Sequence, residues 1–287
     1  MLRNLTLTIC LLFVLSSLQA QFKTHQFFNQ NGDKLSFEEV LVLSEEASVV
    51  FFGELHNNSL AHWFQLQLLK GLQAKHPDLV LAAEFFERDD QLNIEEWFAG
   101  KITEKNFEAE AKLWNNYQTD YRPLMRFAQE KGLDFVASNV PRKYASLVSR
   151  DGLDGLDSLS EEAKKYLAQL PIHFDSNLPG YVAMKGMMHG APGNADFMLQ
   201  AQALKDATMA ESLFPYIDKG HKILHVNGSY HSKDGEGILW FLLKKYPELK
   251  ILNIHTVEQD QLESLEESHA KSGQVILVLP SDSHKSY

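Results

Sequence analysis

An α/β fold with a predominantly parallel sheet is predicted by three features of the sequence. Short apolar runs alternate with helical apolar patterns, the order that sets parallel strands between crossover helices. The run Leu79-Val80-Leu81-Ala82-Ala83 is nearly continuous in apolar residues, as in a strand covered on both faces. Several runs stop abruptly on polar residues, and α/β sheets build their sites at the carboxyl ends of strands.

Residues 21–46 form a lead-in, with Asn31-Gly32-Asp33 as a turn and a helix from Ser36 to Leu43. The first strand spans Ala47 to Phe52 and is rich in β-branched and aromatic residues. It meets Gly53, then Glu54 and His56. Asn57, Asn58 and Ser59 offer caps for a helix over Leu60 to Lys75, whose predicted buried stripe is Leu60, Trp63, Phe64, Leu68 and Leu72. His62 lies off that stripe and is read as solvated. The second strand, Leu79 to Ala83, ends on Glu84, a carboxylate that needs a partner. Helices are predicted at Ile94 to Phe98, Asn106 to Tyr117 and Asp120 to Lys131, the last with Pro123 in its first turn and Gly132 as its stop. A third strand, Asp134 to Ser138, stops at Asn139, and Pro141 opens a helix to about Arg150.

The alternation then breaks. A helix from about Ser160 to Leu170 carries a Ser158-x-x-Glu161 capping-box signature. Pro171 to Gly193 has no clear period and is rich in proline, glycine and methionine, so residues 151–215 read as a lid over the strand ends. The lid closes with a helix from Asn194 to Tyr216, whose Gln202–Asp206 face either meets solvent or lines the site. Lys222 to Val226 is the fourth strand, followed by Asn227-Gly228-Ser229-Tyr230-His231. A helix follows over Gly237 to Tyr246, then strands at Ile251 to Val257 and Val275 to Leu279, an acidic helix at Asp260 to Ala270, and a frayed tail over Ser281 to Tyr287.

Residues 1–20 read as a secretory signal: Arg3, an apolar run from Leu5 to Leu15, and Ala20 at the cleavage point. The run is too short to span a membrane. The single cysteine, Cys10, sits inside that run, so lipidation is not expected. After cleavage no thiolate is left for a disulfide or a metal. Residues 21–287 then form one domain with enough apolar content for a core. The formal charge of −11 becomes −12 on loss of Arg3. That acidity disfavours nucleic acid and anionic membranes as partners.

Two strand-end turns share the spacing Gly-x-x-His, Gly53 with His56 and Gly228 with His231. With Glu54 and Glu84 they form a candidate catalytic set. Glu54, His56 and His231 are donors suited to Zn, Mn or Fe, with a spare carboxylate as base. The same residues equally suit a metal-free carboxylate–imidazole pair, or caps that hold loops together. There is no Gly-x-Ser-x-Gly elbow, phosphate-cradling glycine loop or dinucleotide fingerprint.

Six segments resemble one family in order along the chain: Gly53-Glu54-Leu55-His56-Asn57, Glu84-Phe85-Phe86-Glu87-Arg88-Asp89-Asp90-Gln91, Tyr121-Arg122-Pro123-Leu124, Asn139-Val140-Pro141-Arg142, Gln202 to Ala210, and Asn227 to His231. They are similar to the ChaN-like haem-binding uptake proteins, of a superfamily that also holds Tiki metalloproteases, TraB-like proteins and erythromycin esterases. The resemblance implies a three-layer α/β/α fold with a helical lid. It also implies haem as cofactor, a place in iron uptake at the periplasm or cell envelope, a homodimer with stacked haems, and an outer-membrane haem receptor as partner. An axial haem ligand would be His, Tyr, Met or Cys. Tyr181, Met184 and His189 in the lid, with Met187 and Met188 beside them, are the candidates. Ordinary loop packing is the alternative and slightly favoured account of these residues. The alternative function is a metal-dependent hydrolase using Glu54, His56, Glu84 and His231.

Export predicts a mature protein that begins near Gln21. N-terminal sequencing of periplasmic or secreted material checks this, and an intact Met1 or a lipid-modified terminus would contradict it.

Overall fold

The structure is a computed structural model that describes residues 23–187 and 193–287. The signal segment, Met188 and His189 lie outside the described residues. Eight strands form one sheet in the order β2-β1-β8-β7-β3-β6-β4-β5. They are β1 (Gln26–Asn29), β2 (Lys34–Leu35), β3 (Val49–Glu54), β4 (Val80–Glu87), β5 (Asp134–Asn139), β6 (Ile223–Gly228), β7 (Ile251–Gln259) and β8 (Val275–Pro280). The six strands from β8 to β5 are mutually parallel, and the β1–β2 hairpin adds antiparallel to β8. The hairpin is absent from the sequence expectation, because four residues and two residues are too short to show a period.

Alternation along β3 sends side chains to two cores. Val50 and Phe52 pack with Phe64, Leu68 and Leu72 of α2 (Ser59–Lys75) and with Leu124, Met125 and Ala128 of α5 (Arg122–Lys131). Val49 and Phe51 face the other way, onto Met209, Ala210 and Leu213 of α9 (Ala195–Asp218) and Ile238, Leu239 and Leu242 of α10 (Ile238–Lys245). The three-layer α/β/α arrangement follows from this double burial. On the first layer lie α1 (Phe37–Glu46), closed by a Ser36–Glu39 capping box, α3 (Gln91–Phe98) and α4 (Glu104–Glu110).

The lid has its own cores. Helix α6 (Arg142–Asp151) brings Tyr144, Ala145 and Val148 against Ala201 and Leu204 of α9. Tyr181 of α8 (Pro179–Met187) packs on Leu199 and Ala203 of α9. Arg88 ties the lid down: its guanidinium donates to Leu167 O at 2.7 Å, Thr208 O at 3.0 Å and Ser212 Oγ at 2.8 Å.

Four expected elements differ. The helix over 160–170 is only α7 (Glu161–Lys164), capped by Ser160 rather than Ser158. Beyond it, Leu167 O and Ala168 N–H bond to Arg88 and Thr208 instead of continuing a helix. The helix expected to Tyr117 ends at Glu110, and Tyr117–Tyr121 is a single π turn leading into α5. The acidic helix at 260–270 is an irregular crossover with one short turn at Glu267–His269. There the Gln259 amide donates to Gln261 O and Ser264 O and accepts from Glu266 N–H, competing with helical bonds.

The fourth difference is the tail. Instead of fraying it docks beside the β3 turn: Lys285 bridges Asn58, Ser286 N–H donates to Asn57 O at 2.8 Å, and Asn58 Nδ2 donates to Ser283 Oγ at 2.8 Å. The Ser286 amide is therefore expected to exchange with deuterium more slowly than a free chain end. Exchange at the unstructured rate in a mass-spectrometric time course would show that the tail is not docked.

Candidate functional site

The site lies where β6 separates β3 from β4, at the carboxyl edge of the sheet. Strand β3 ends on Glu54, paired in register with Gly228 of β6. Strand β4 runs past Glu84 to Glu87, and its pairing with β5 slips between Ala83 and Glu87. Such irregularities re-aim side chains beside sites, and here the carboxylate of Glu84 reaches the β6 turn.

The two Gly-x-x-His turns interlock. A Cβ on Gly228 would stand 2.6 Å from His56 Cε1 and 2.7 Å from its Nε2, so the missing side chain is what lets the imidazole lie on the backbone of the other turn. A Cβ on Gly53 would meet Ser229 Cα and Ser232 Oγ, both at 3.1 Å. Each glycine makes room for the opposite turn.

Glu54 is buried and fully engaged. Oε1 accepts from Tyr121 Oη at 2.5 Å and from His56 Nδ1 at 2.9 Å, while Oε2 accepts from Gln65 Nε2 at 2.5 Å. Burial would raise its pKa, but His62, His56 and Gln65 outweigh burial and hold it down. Burial and the adjacent Glu54 carboxylate together push Tyr121 well up, so it stays a phenol and a donor. His62 is buried, not solvated: one nitrogen lies 3.0 Å from His56 O and the other 3.1 Å from Gln65 Oε1. The polar needs of Glu54 turn His62 and Gln65 inward, and Trp63 of the expected stripe is left 53% exposed.

His231 forms a second, closed unit. Its Nε2 lies 3.1 Å from Glu84 Oε1 and its Nδ1 2.5 Å from Asp206 Oδ1. Burial would lower its pKa, yet the carboxylates of Glu84 and Asp206 dominate and lift it to about 10. It is an imidazolium donating at both ends. Glu84 also accepts Gly228 N–H at 2.7 Å; burial would raise its pKa, and His231 with His56 hold it far below the usual carboxylate range. The Gln202–Asp206 face of α9 thus lines the site, with the Gln202 amide 2.9 Å from His231 Nδ1. Tyr181 donates to Asp206 Oδ2 at 2.8 Å from a buried position. Burial and Asp206 raise its pKa strongly, so it is a donor rather than an open ligand.

His56 is the chemically open group. Nδ1–H faces Glu54, its side chain is 40% exposed, and Nε2 has no protein partner among the described residues. Burial pulls its pKa down, but the bond to Glu54 and the charges of Glu84 and Glu54 leave it raised. An imidazole oriented by a carboxylate with a free nitrogen can exchange protons or donate to a ligand. Two cavities share His56 and Tyr287 in their walls. One, about 660 Å³, is lined by Leu55, Met184, Met187, Tyr230 and His231. The other, about 900 Å³, is lined by Trp114, Asn139 and several cations.

The structure therefore brings Glu54, His56, Glu84 and His231 together, but not as metal ligands. Among the described residues no group of three or more His, Cys, Asp and Glu side chains is arranged to hold an ion. Both oxygens of Glu54 are engaged by Tyr121, His56 and Gln65, and both nitrogens of His231 by Glu84 and Asp206, so a divalent ion on Glu54, His56 and His231 is not supported. Tyr121, Gln65 and Asp206 are the site residues that the sequence did not assign. Only the motif around Tyr121 and the face containing Asp206 pointed to them.

This constellation sits at the carboxyl edge of the sheet in a three-layer α/β/α protein. A family model described as "Haem-binding uptake, Tiki superfamily, ChaN" matches residues 42–242, and the chain belongs to that family. Among solved structures it is similar to "Cofacial heme binding to ChaN of Campylobacter jejuni", at 15% identity and TM-score 0.65, covering 91% of this chain and 98% of that one. It is also similar to erythromycin esterase EreC at 12% identity and TM-score 0.48, covering 88% of this chain and 83% of that chain. No curated protein matches the chain. Among the described residues no helix is long and apolar enough to cross a membrane.

Replacing His231 by Ala leaves Glu84 and Asp206 buried without their cation, and should cost about 3–5 kcal/mol of stability at neutral pH. The raised pKa sets the sign of the pH dependence: the stabilisation is complete below the ordinary value of 6.5 and is lost as pH rises through about 10. Denaturant melts of wild type and His231→Ala between pH 6 and 11 should therefore converge at the alkaline end; a constant gap would contradict the charged triad. Gly228→Ala should instead displace His56. A shifted His56 imidazole resonance in a folded variant is the expected result, and an unmoved one would mean the close approach is not real.

Proposed function

We propose that the protein binds haem in the cavity between α8 and the ends of β3 and β6, and serves haem or iron uptake at the cell envelope. The observation that carries this reading is the cavity wall: Leu55, Met184, Met187, Tyr230 and Tyr287 make an apolar surface that also presents thioether and phenol donors beside the open Nε2 of His56. Haem requires that combination of an apolar slot and an axial donor. Family membership supports it. Met187 and Tyr230 are well exposed, at 66% and 61%, and so are accessible to a large planar ligand.

Of the expected lid ligands, Met184 fits and Tyr181 does not, since its hydroxyl is committed to Asp206. His189 lies outside the described residues. Bound haem would supply an iron centre; the chain's own residues would enclose the macrocycle and offer it a donor. Export rests on the N-terminal segment, residues 1–20. We extend to this chain the cofacial haem binding of the Campylobacter jejuni protein; a homodimer and an outer-membrane haem receptor as partner follow only from the resemblance to the family. Hydrolysis as an alternative would rest on the Glu54–His56 pair alone, acting as a metal-free base.

Haemin titration should produce a saturable Soret shift. Met184→Ala/Met187→Ala should weaken it by about tenfold through lost apolar contact, while Tyr230→Phe or His56→Ala should move the band position if either supplies the axial donor. No Soret change in the wild type would refute haem binding.

A further inference from the structure

The larger cavity has more cations than acids in its wall, four against Glu84 and Glu87. In a chain of net charge −11, its wall presents Lys112, Arg142, Lys143 and Lys205. Two of these are spoken for: Lys112 pairs with Glu87 and Asp89 at 2.7 Å, and Lys143 lies 3.6 Å from Asp89. Arg142 and Lys205 have neither an ion pair nor a hydrogen bond among the described residues, and they come from different elements, α6 and α9. Glu84, which also lines the cavity, is already held by His231 and by the Gly228 N–H.

The position of Arg142 argues against a structural role on energetic grounds. It and Lys143 occupy the first turn of α6, and the helix opens on Pro141 without a side-chain cap. Cations in a first turn oppose the macrodipole and the orphan N–H groups rather than complementing them. Two adjacent cations there are unfavourable for the helix, and an anion between Arg142, Lys205 and the helix start would reverse the sign of that interaction. Glu87, held by Lys112, and Trp114, Asn116 and Asn139 also line the wall, and His56 joins it to the apolar cavity.

We propose that this cavity is a carboxylate-binding site centred on Arg142 and Lys205, and that it receives the propionates of a haem whose macrocycle lies in the neighbouring apolar cavity. The second clause rests on the haem reading above; the first does not. Arg142 offers a fork for a bidentate carboxylate and Lys205 a point charge. The shared border at His56 and Tyr287 puts an anion-binding subsite directly beside an apolar one, matching the division of a haem into propionates and macrocycle.

The test compares haemin with haemin dimethyl ester on wild type and on Arg142→Gln/Lys205→Gln, at low salt, by Soret titration, with far-UV circular dichroism to verify folding. Wild type should prefer the free acid by about tenfold or more, the scale of a charge-assisted hydrogen bond. The double variant should lose that preference without moving the Soret maximum, because no axial donor is touched. Binding of both porphyrins by wild type without preference, or a preference retained by the variant, would overturn the propionate assignment while leaving haem binding intact. If neither porphyrin shifts the Soret band, the haem reading fails, and citrate becomes the probe of the cavity. A saturable change in Trp114 fluorescence, absent from the double variant, would then support the carboxylate site, and a flat wild-type response would overturn it too.

Discussion

Two buried carboxylates, Glu54 and Glu84, constrain almost everything around the strand ends. An ionised carboxylate taken out of water is tolerable only with charges and donors close by. Glu54 recruits Tyr121, Gln65 and His56 from three separate elements, and Glu84 recruits His231 and a backbone N–H. These demands fix the rotation of α2, the π turn before α5 and the docking of α9 on β6. The site and the packing of two helical layers are therefore one problem.

The two histidine turns look equivalent in sequence and are not equivalent in chemistry. His231 is locked as a cation between Glu84 and Asp206, and Asp206 is itself held by Tyr181 from the lid. It joins lid to sheet electrostatically. His56 has only one nitrogen engaged among the described residues and opens onto both cavities. One turn holds the structure together, and the other opens onto the two cavities. His225, between them on β6, shows a third outcome: burial lowers its pKa to about 4, and it stays neutral between Ser138 and Asn227.

Strand positions were legible because buried parallel strands carry dense apolar signals, and β3, β4, β5, β6, β7 and β8 all fall within a few residues of their expected places. Errors cluster where tertiary bonds outbid local preference. Ser158-x-x-Glu161 reads as a capping box, but Arg88 and Thr208 claim the backbone that would have extended the helix. Trp63 looks like a core residue until Glu54 requires His62 and Gln65 on that face. The polar tail looks free because its partners, Asn57, Asn58 and Glu258, are more than twenty residues away in sequence.

What the sequence determined by itself was the class of fold, the four residues that meet at the strand ends, and the family. These depend on local periodicity and on short motifs, which survive without knowledge of distant contacts. Tertiary structure alone decided which atoms are free. A list of Glu and His residues suits a metal equally well as a salt-bridged triad, and the choice depends on whether Asp206, Gln65 and Tyr121 reach those atoms first. It also decided that Arg142 and Lys205 line one cavity without an acid paired to either among the described residues. Charge composition averages over the whole surface, and only the fold can gather the exceptional cations of an acidic protein into one place.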